Sequence, residues 1–213
     1  MAGQRNSGPV TRKLSYGQTK PPTLVDRFGI WLSARRIRSY VKDPSGKRIG
    51  DFGCGYQAQV GRLFLEGAKH MTFVDLALAP ELKEHAHVTA IEGLLPDAVS
   101  GLEDASLDVI ICNSVLEHLG EPRQTLAVLR RLLAPGGLCL VNVPSWRGKW
   151  FLEFAAFTRK VSTVEEMDDH KTYYDPRDLW PMLVEAGFRP SNISCFRHKF
   201  GLNTFAACRR GPA

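Results

Sequence analysis

The chain predicts an α/β fold built on a mostly parallel, seven-stranded sheet with helices on both faces and an antiparallel hairpin at its C-terminal end. Three observations predict it. Apolar runs of strand length alternate with helix-period segments from Arg48 to Val143, the pattern of a parallel sheet covered on both sides. A glycine turn, Gly53-Cys54-Gly55, follows directly on the first of those runs, at the strand end where open α/β sheets bind ligands. Near the C-terminus, Asn192–Phe200 and Asn203–Arg209 flank Gly201-Leu202 and read as a hairpin.

Element by element, residues 1–20 are rich in Gly, Ser, Gln and Lys and lack apolar periodicity, so they are expected to be a disordered basic tail. Residues 21–213 then form a single domain. A helix is expected from Thr23 to Val41 (within an N-terminal helical region, 21–45), with Val25, Phe28, Trp31 and Leu32 on one face. Asp43-Pro44-Ser45-Gly46 breaks the chain before a strand at 48–52. The series continues with a helix at 58–67, a strand at 71–75, a helix near 79–84 and a strand at 88–91. A strand at 108–112, a helix at 122–133 and a strand at 138–143 follow. Leucines 126, 129, 132 and 133 mark the buried face of the third of those helices, and Pro135-Gly136-Gly137 stops it. Residues 145–175 are too long and too aromatic for a connection and read as a lid or acceptor-side insertion. A further helix is expected with Asp178 as its cap, which would put Pro181 in the first turn, and with Gly187 at its end.

Composition narrows the class. Of 213 residues, 44% are hydrophobic and 23% charged, ordinary for a globular protein able to bury a core. No apolar run approaches the roughly 18 residues of a membrane span. The polar N-terminus lacks the apolar core of a secretory signal, so a cytoplasmic location is expected. Five cysteines without a C-x-x-C pair argue against zinc and disulfides and for buried, reduced thiols. Residues 1–49 hold eleven Lys or Arg against Asp26 and Asp43, while the whole chain carries +6. Such an arm suits nucleic acid or an acidic surface, though the simpler reading is a solvated tail and a surface helix.

Asp51-Phe52-Gly53-Cys54-Gly55 resembles the acid-x-Gly-x-Gly motif of class I S-adenosylmethionine-dependent methyltransferases. Three further segments extend the resemblance in the same order: Met71-Thr-Phe-Val-Asp75, Ser106 to Leu119 with its Leu116-Glu-His-Leu119 phrase, and Leu126 to Val143 with its Pro-Gly-Gly turn. The last two are similar to the type 11 and type 23 small-molecule methyltransferases. The resemblance implies a Rossmann-like fold and S-adenosyl-L-methionine as cofactor. By the same resemblance, Asp51, Gly53, Cys54 and Gly55 would hold the methionine part, and Asp75, with Leu76 beside it, would accept both ribose hydroxyls. Glu92, Gly93 or Leu94 would meet the adenine. Asn113 and Ser114 would lie beside the methyl group. The chain departs from the pattern at Gln57, where a third glycine is usual.

For an oxygen acceptor a base of near-neutral pKa helps, and His170 and His118 are the candidates. Trp146, Trp150, Tyr173 and Tyr174 would line the acceptor pocket or, equally, pack as core beneath a lid. The leading expectation is methyl transfer to a small-molecule acceptor, at oxygen. Two alternatives stay open. One is an RNA or protein methyltransferase using the basic arm, less favoured because Asn113-Ser-Val-Leu stands where an Asn/Asp-Pro-Pro-Tyr motif would follow the fourth strand. The other is a catalytically silent cofactor-binding or interaction protein, suggested by Gln57.

Overall fold

The computed structural model describes residues 14–149 and 172–212. Its elements are α1 (Leu24–Tyr40), β1 (Arg48–Phe52), β2 (His70–Asp75), α2 (Pro80–Lys83), β3 (Val88–Glu92), β4 (Leu107–Asn113), α3 (Pro122–Leu132), β5 (Leu133–Pro144), α4 (Pro176–Glu185), β6 (Ile193–His198) and β7 (Asn203–Arg209). One seven-stranded sheet runs β3-β2-β1-β4-β5-β7-β6. The first five strands are parallel, and β7 pairs antiparallel with both β5 and β6.

Alternation along β1 explains how the sheet fills both sides. Ile49 joins the α1 side with Ile37, Phe73, Ile111, Leu140 and Phe205. Phe52 joins the α3/α4 side with Ile110, Leu126, Leu129, Val141 and Leu183. Being covered on both faces, β1 and β4 are buried almost without a break rather than in alternation, β1 carrying the buried Asp51 among its apolar residues.

Local chemistry sets the ends of α1 much as expected. Thr23 Oγ1 accepts from Asp26 N–H at 3.2 Å, and Asp26 Oδ2 accepts from Thr23 N–H at 2.8 Å, a reciprocal capping box. Its packed face, however, is Ser33, Ala34 and Ile37. Val25, Phe28 and Trp31, which share a face by period, are each more than half exposed.

Three elements differ from expectation. The segment after the glycine turn is not an α-helix but one 310 turn, Gly61–Phe64. Ala58 has φ +46°, and the Gly61 N–H donates at 2.9 Å to the Asp51 carboxylate rather than back along a helix. The helix α4 starts at Pro176, with Asp175 as cap and Asp178 as its reciprocal partner, so Pro181 lies inside it. Strand β5 begins at Leu133, directly after α3. It carries Pro135-Gly136-Gly137 as an irregularity: Leu107 pairs with Leu133 and Val109 with Leu138.

All five cysteines are free, with Cys112, Cys139 and Cys208 buried. Burial holds the Cys112 and Cys139 thiols well above the ordinary range, so they behave as core apolar groups. No helix among the described residues is long and apolar enough to cross a membrane.

Candidate functional site

The sheet reverses its winding between β1 and β4, and the loops after β1, β2 and β4 meet there. Gly53 and Gly55 both sit at positive φ, +73° and +74°. Gly53 is needed twice over, because a Cβ there would lie 2.2 Å from Val115 Cγ2, on the loop after β4. Its N–H and that of Cys54 both donate to the Val74 carbonyl at the end of β2, at 2.7 and 3.2 Å. The glycine turn is thereby bolted across two strands.

Two acids define the charge of this region. Asp75 ends β2 and is half-exposed. Its Oδ2 accepts from Gly55 N–H at 2.7 Å and its Oδ1 from Leu76 N–H at 2.8 Å. Asp51 is buried, and its Oδ2 accepts only from Gly61 N–H among the described hydrogen bonds. Burial pushes the Asp51 carboxyl up to about 7, against which the Gly61 bond acts downward, while nearby Asp75 adds to the rise. A cation brought to Asp51 would reverse that burial penalty.

At the end of β3, Glu92 Oε1 accepts from Leu78 N–H and pairs with Lys83 Nζ, each at 2.7 Å. Its carboxylate, held low first by Lys83, ties the α2 loop to the sheet. Gly93 donates to the Asp75 carbonyl at 2.9 Å, and Leu94 is half-exposed beside it. The Glu92-Gly93-Leu94 segment thus borders Asp75.

On the other side of the switch point, Asn113 closes β4 in register with Asn142 of β5. Asn142 Nδ2 donates to Asn113 Oδ1 at 3.0 Å and to Ser33 Oγ of α1 at 3.4 Å, while Asn142 Oδ1 is buried with no partner among the described residues. Ser114, at φ +58°, donates its N–H to the Asn142 carbonyl at 2.7 Å. His118 ends the following 310 turn, Leu116–His118, and is partly buried.

The aromatic candidates separate. Tyr174 is a member of the core, its hydroxyl 3.4 Å from the Leu116 carbonyl. Tyr173 is buried against Trp146, ring centroids 5.7 Å apart, and Trp146 Nε1 donates to Asp178 Oδ2 at 3.2 Å. Trp150 and His170 lie outside the described residues, as does most of the 145–175 insertion.

Sequence reasoning missed five residues here. Gly61 replaces the absent third glycine in one respect: a Cβ there would come 2.6 Å from Asp51 Oδ2. Asn142 was visible as a lone amide in an apolar strand. Lys199 and Phe200, at φ +49° and +59°, strain the β6–β7 turn, and burial lowers the Lys199 ammonium to about 8. Ser15, from the basic tail, lies buried on the Asp75 side chain. Nothing in its neighbourhood in sequence signals that contact, because its partner is 60 residues away.

Among the described residues no cluster of His, Cys, Asp and Glu suits a metal ion. A cavity of about 440 Å³ lies between Tyr40, Ser45, Lys47, Asp108 and Gly136 of the Pro-Gly-Gly turn, at the amino-terminal end of the parallel strands, and its lining includes neither the Gly53–Gly55 turn nor Asp75 or Asn113.

An antiparallel strand slotted between β5 and the edge strand separates this sheet from a simple dinucleotide-binding one. With the acid-led glycine turn at its switch point, it places the chain in the Rossmann-like methyltransferase class. A family model described as a methyltransferase domain, type 23, matches residues 26–192, and the chain belongs to that family. It is 29% identical over 194 residues to a ubiquinone biosynthesis O-methyltransferase of Xylella fastidiosa strain M23, covering 86% of this chain and 76% of that one. A protein so named from Psychrobacter arcticus is 26% identical over 174 residues, 76% and 67% of the two chains. The chain spans 38% of the length of another relative, an uncharacterized 37.1 kDa protein of a Streptomyces fradiae transposon, at 30% identity over 132 residues, 57% of this chain. Among solved structures, a Burkholderia thailandensis 1,6-didemethyltoxoflavin-N1-methyltransferase with bound S-adenosylhomocysteine superposes with TM-score 0.62 at 19% identity, covering 88% of this chain and 80% of that one.

Proposed function

We propose that this chain is an S-adenosyl-L-methionine-dependent methyltransferase that methylates an oxygen of a small-molecule acceptor. The observation that carries the reading is the pairing of Asp75 with the Gly53–Gly55 turn: a carboxylate at the end of β2, held by a backbone N–H of the turn beside it. The family match and a neighbour whose structure contains S-adenosylhomocysteine support the cofactor. Relatives named as O-methyltransferases support oxygen as the methylated atom.

The residues present fit the cofactor chemically. Asp75 would accept the two ribose hydroxyls, a vicinal diol matching two carboxylate oxygens. Asp51 lies buried behind the glycine turn and would act on the amino group through the electrostatic field and water rather than by direct contact. Cys54 and Leu76 supply walls, Glu92-Gly93-Leu94 the adenine edge, and Asn113 and Ser114 the floor beside the reacting carbon. When bound, the cofactor supplies a methyl group on a sulfonium sulfur, which is its own leaving group. The protein's part is to align the acceptor oxygen and to take up the hydroxyl proton as the new C–O bond forms. His118 or His170 would receive that proton, and Trp146 and Trp150, with Tyr173 packed against Trp146, would flank the acceptor, while Tyr174 packs in the core beneath them. The cytoplasm, where the cofactor is made, suits such an enzyme.

Isothermal titration with S-adenosylmethionine and S-adenosylhomocysteine tests the reading. Micromolar binding of both is expected. Absence of heat and of thermal stabilisation at high micromolar ligand would leave a silent member of the fold, the outcome that Gln57 makes worth checking.

A further inference from the structure

We infer that residues Ser15–Gln18 form a latch that occupies the ribose end of the cofactor pocket and must leave before the cofactor can bind. The inference rests on the proposed cofactor reading and adds regulation to that same site.

The segment is a defined turn rather than a loose tail. Gln18 N–H donates to the Ser15 carbonyl at 3.1 Å, Ser15 N–H donates to Gln18 Oε1 at 3.0 Å, and Gly17 at φ +76° occupies the position where a type II turn requires a left-handed residue. The turn presents the Ser15 side chain to the site. Ser15 Oγ lies 2.5 Å from Asp75 Oδ1, accepts from Ala77 N–H at 2.7 Å, and has the Ala77 carbonyl at 2.7 Å as its other acceptor. A second peg is backbone: Tyr56 N–H, in the glycine loop, donates at 2.9 Å to the Tyr16 carbonyl. That same carbonyl sits over Gly55, 3.2 Å from where a Cβ would be. The space that a missing side chain leaves for a ligand is therefore taken by the chain's own backbone.

Counting acceptor sites decides between a latch and a clamp. Each carboxylate oxygen has about two lone-pair positions. Asp75 Oδ1 already receives Leu76 N–H and the Ser15 hydroxyl, and Oδ2 receives Gly55 N–H. One position remains, whereas a ribose diol needs one on each oxygen. The Ser15 hydroxyl stands in chemically for one of the two ribose hydroxyls, so serine and ribose exclude each other. The hold is also of a releasable kind. Ser15 is 4% exposed while its neighbours Leu14 and Tyr16 are 48% and 36% exposed, so the segment is anchored by a polar group and not by deep apolar burial. Pro21 and Pro22 limit the tether between this turn and the Thr23 cap of α1, keeping the latch close to the site when it opens.

A Ser15→Ala variant of the full chain removes the hydroxyl and keeps the backbone. Binding of S-adenosylhomocysteine by titration calorimetry is expected to tighten roughly threefold to tenfold, because the fraction of molecules with a free site rises. In the unmodified chain, hydrogen exchange of residues 14–18 is expected to speed up at saturating S-adenosylhomocysteine. Unchanged or weaker binding by Ser15→Ala, or slower exchange of 14–18 with ligand, overturns the latch while leaving the cofactor reading standing. Binding by neither protein would remove the cofactor reading and the latch together.

Discussion

The two sides of the switch point treat their polar groups in opposite ways. On the β1–β2 side, both oxygens of Asp75, the Gly53 and Cys54 N–H groups and Glu92 Oε1 have protein partners at 2.5–3.2 Å. On the β4–β5–β7–β6 side, Asn142 Oδ1, His198 Nε2 and Thr204 Oγ1 are buried without any among the described residues. Unpartnered buried polar atoms are costly to a fold. The lesson is that the β1–β2 side is built by local motif and satisfies its polar groups within the chain. The other side leaves polar atoms without partners among the described residues.

Four measurements would break or sharpen that contrast. Gly53→Ala combines a Cβ 2.2 Å from Val115 with a left-handed φ, and a loss of about 3 kcal/mol of stability is expected from overpacking and strain. Urea unfolding measures it, and adding Val115→Ala should restore part of the loss, since the steric half of the cost lies in that pair. Asp75→Ala should weaken S-adenosylhomocysteine binding by about 1.5–3 kcal/mol, the scale of charge-assisted hydrogen bonds. Equal affinity in the calorimeter would show that the partnered side is structural only.

The third measurement is stability against pH. The Asp51 carboxyl titrates near 7 in the folded chain against 3.8 ordinarily, so the native state holds the extra proton between those values. Its contribution therefore makes the fold most stable at the acid end, declining as pH rises from about 4 to 7 and flat above. Unfolding midpoints at pH 5 and 8 should differ less in Asp51→Asn than in the parent. A cationic amino group beside Asp51 would favour its ionised form, so binding near pH 6 should release protons, visible as a buffer-dependent heat. The smallest effect is on the unpartnered side. Thr204→Val removes a buried hydroxyl with no partner among the described residues and should raise stability by about 0.5–1 kcal/mol, read as a melting shift of a few degrees. A loss instead would mean that hydroxyl has a partner after all.

Legibility in the sequence followed the range of the interactions. Asp51, the two glycines, Asp75 and Asn113 were readable because each sits at a strand end announced by its own apolar run. The hairpin was readable because turn chemistry at Gly201-Leu202 is local. The 310 turn at Gly61 was not, because the helical pattern at 58–67 competes with a hydrogen bond to Asp51, ten residues back and in another element. The cap of α4 lies three residues before the expected Asp178, at Asp175. Both Asp175 and Asp178 can cap, and the observed box uses them together, accepting Pro181 inside the helix.

By itself the sequence determined the sheet, its mostly parallel order and the place where the motifs converge. Those follow from the period of apolar residues and from glycine's freedom at positive φ, properties that neighbouring residues carry. Tertiary structure alone decided which face of α1 packs, where the third glycine is used, and what lies on Asp75. Each depends on a partner distant in the chain: Ser33 on Asn142, Gly61 on Asp51, Ser15 on Asp75. A hydrogen bond between such residues leaves no periodic trace, because its energy is decided only when the fold brings donor and acceptor within 3 Å or so.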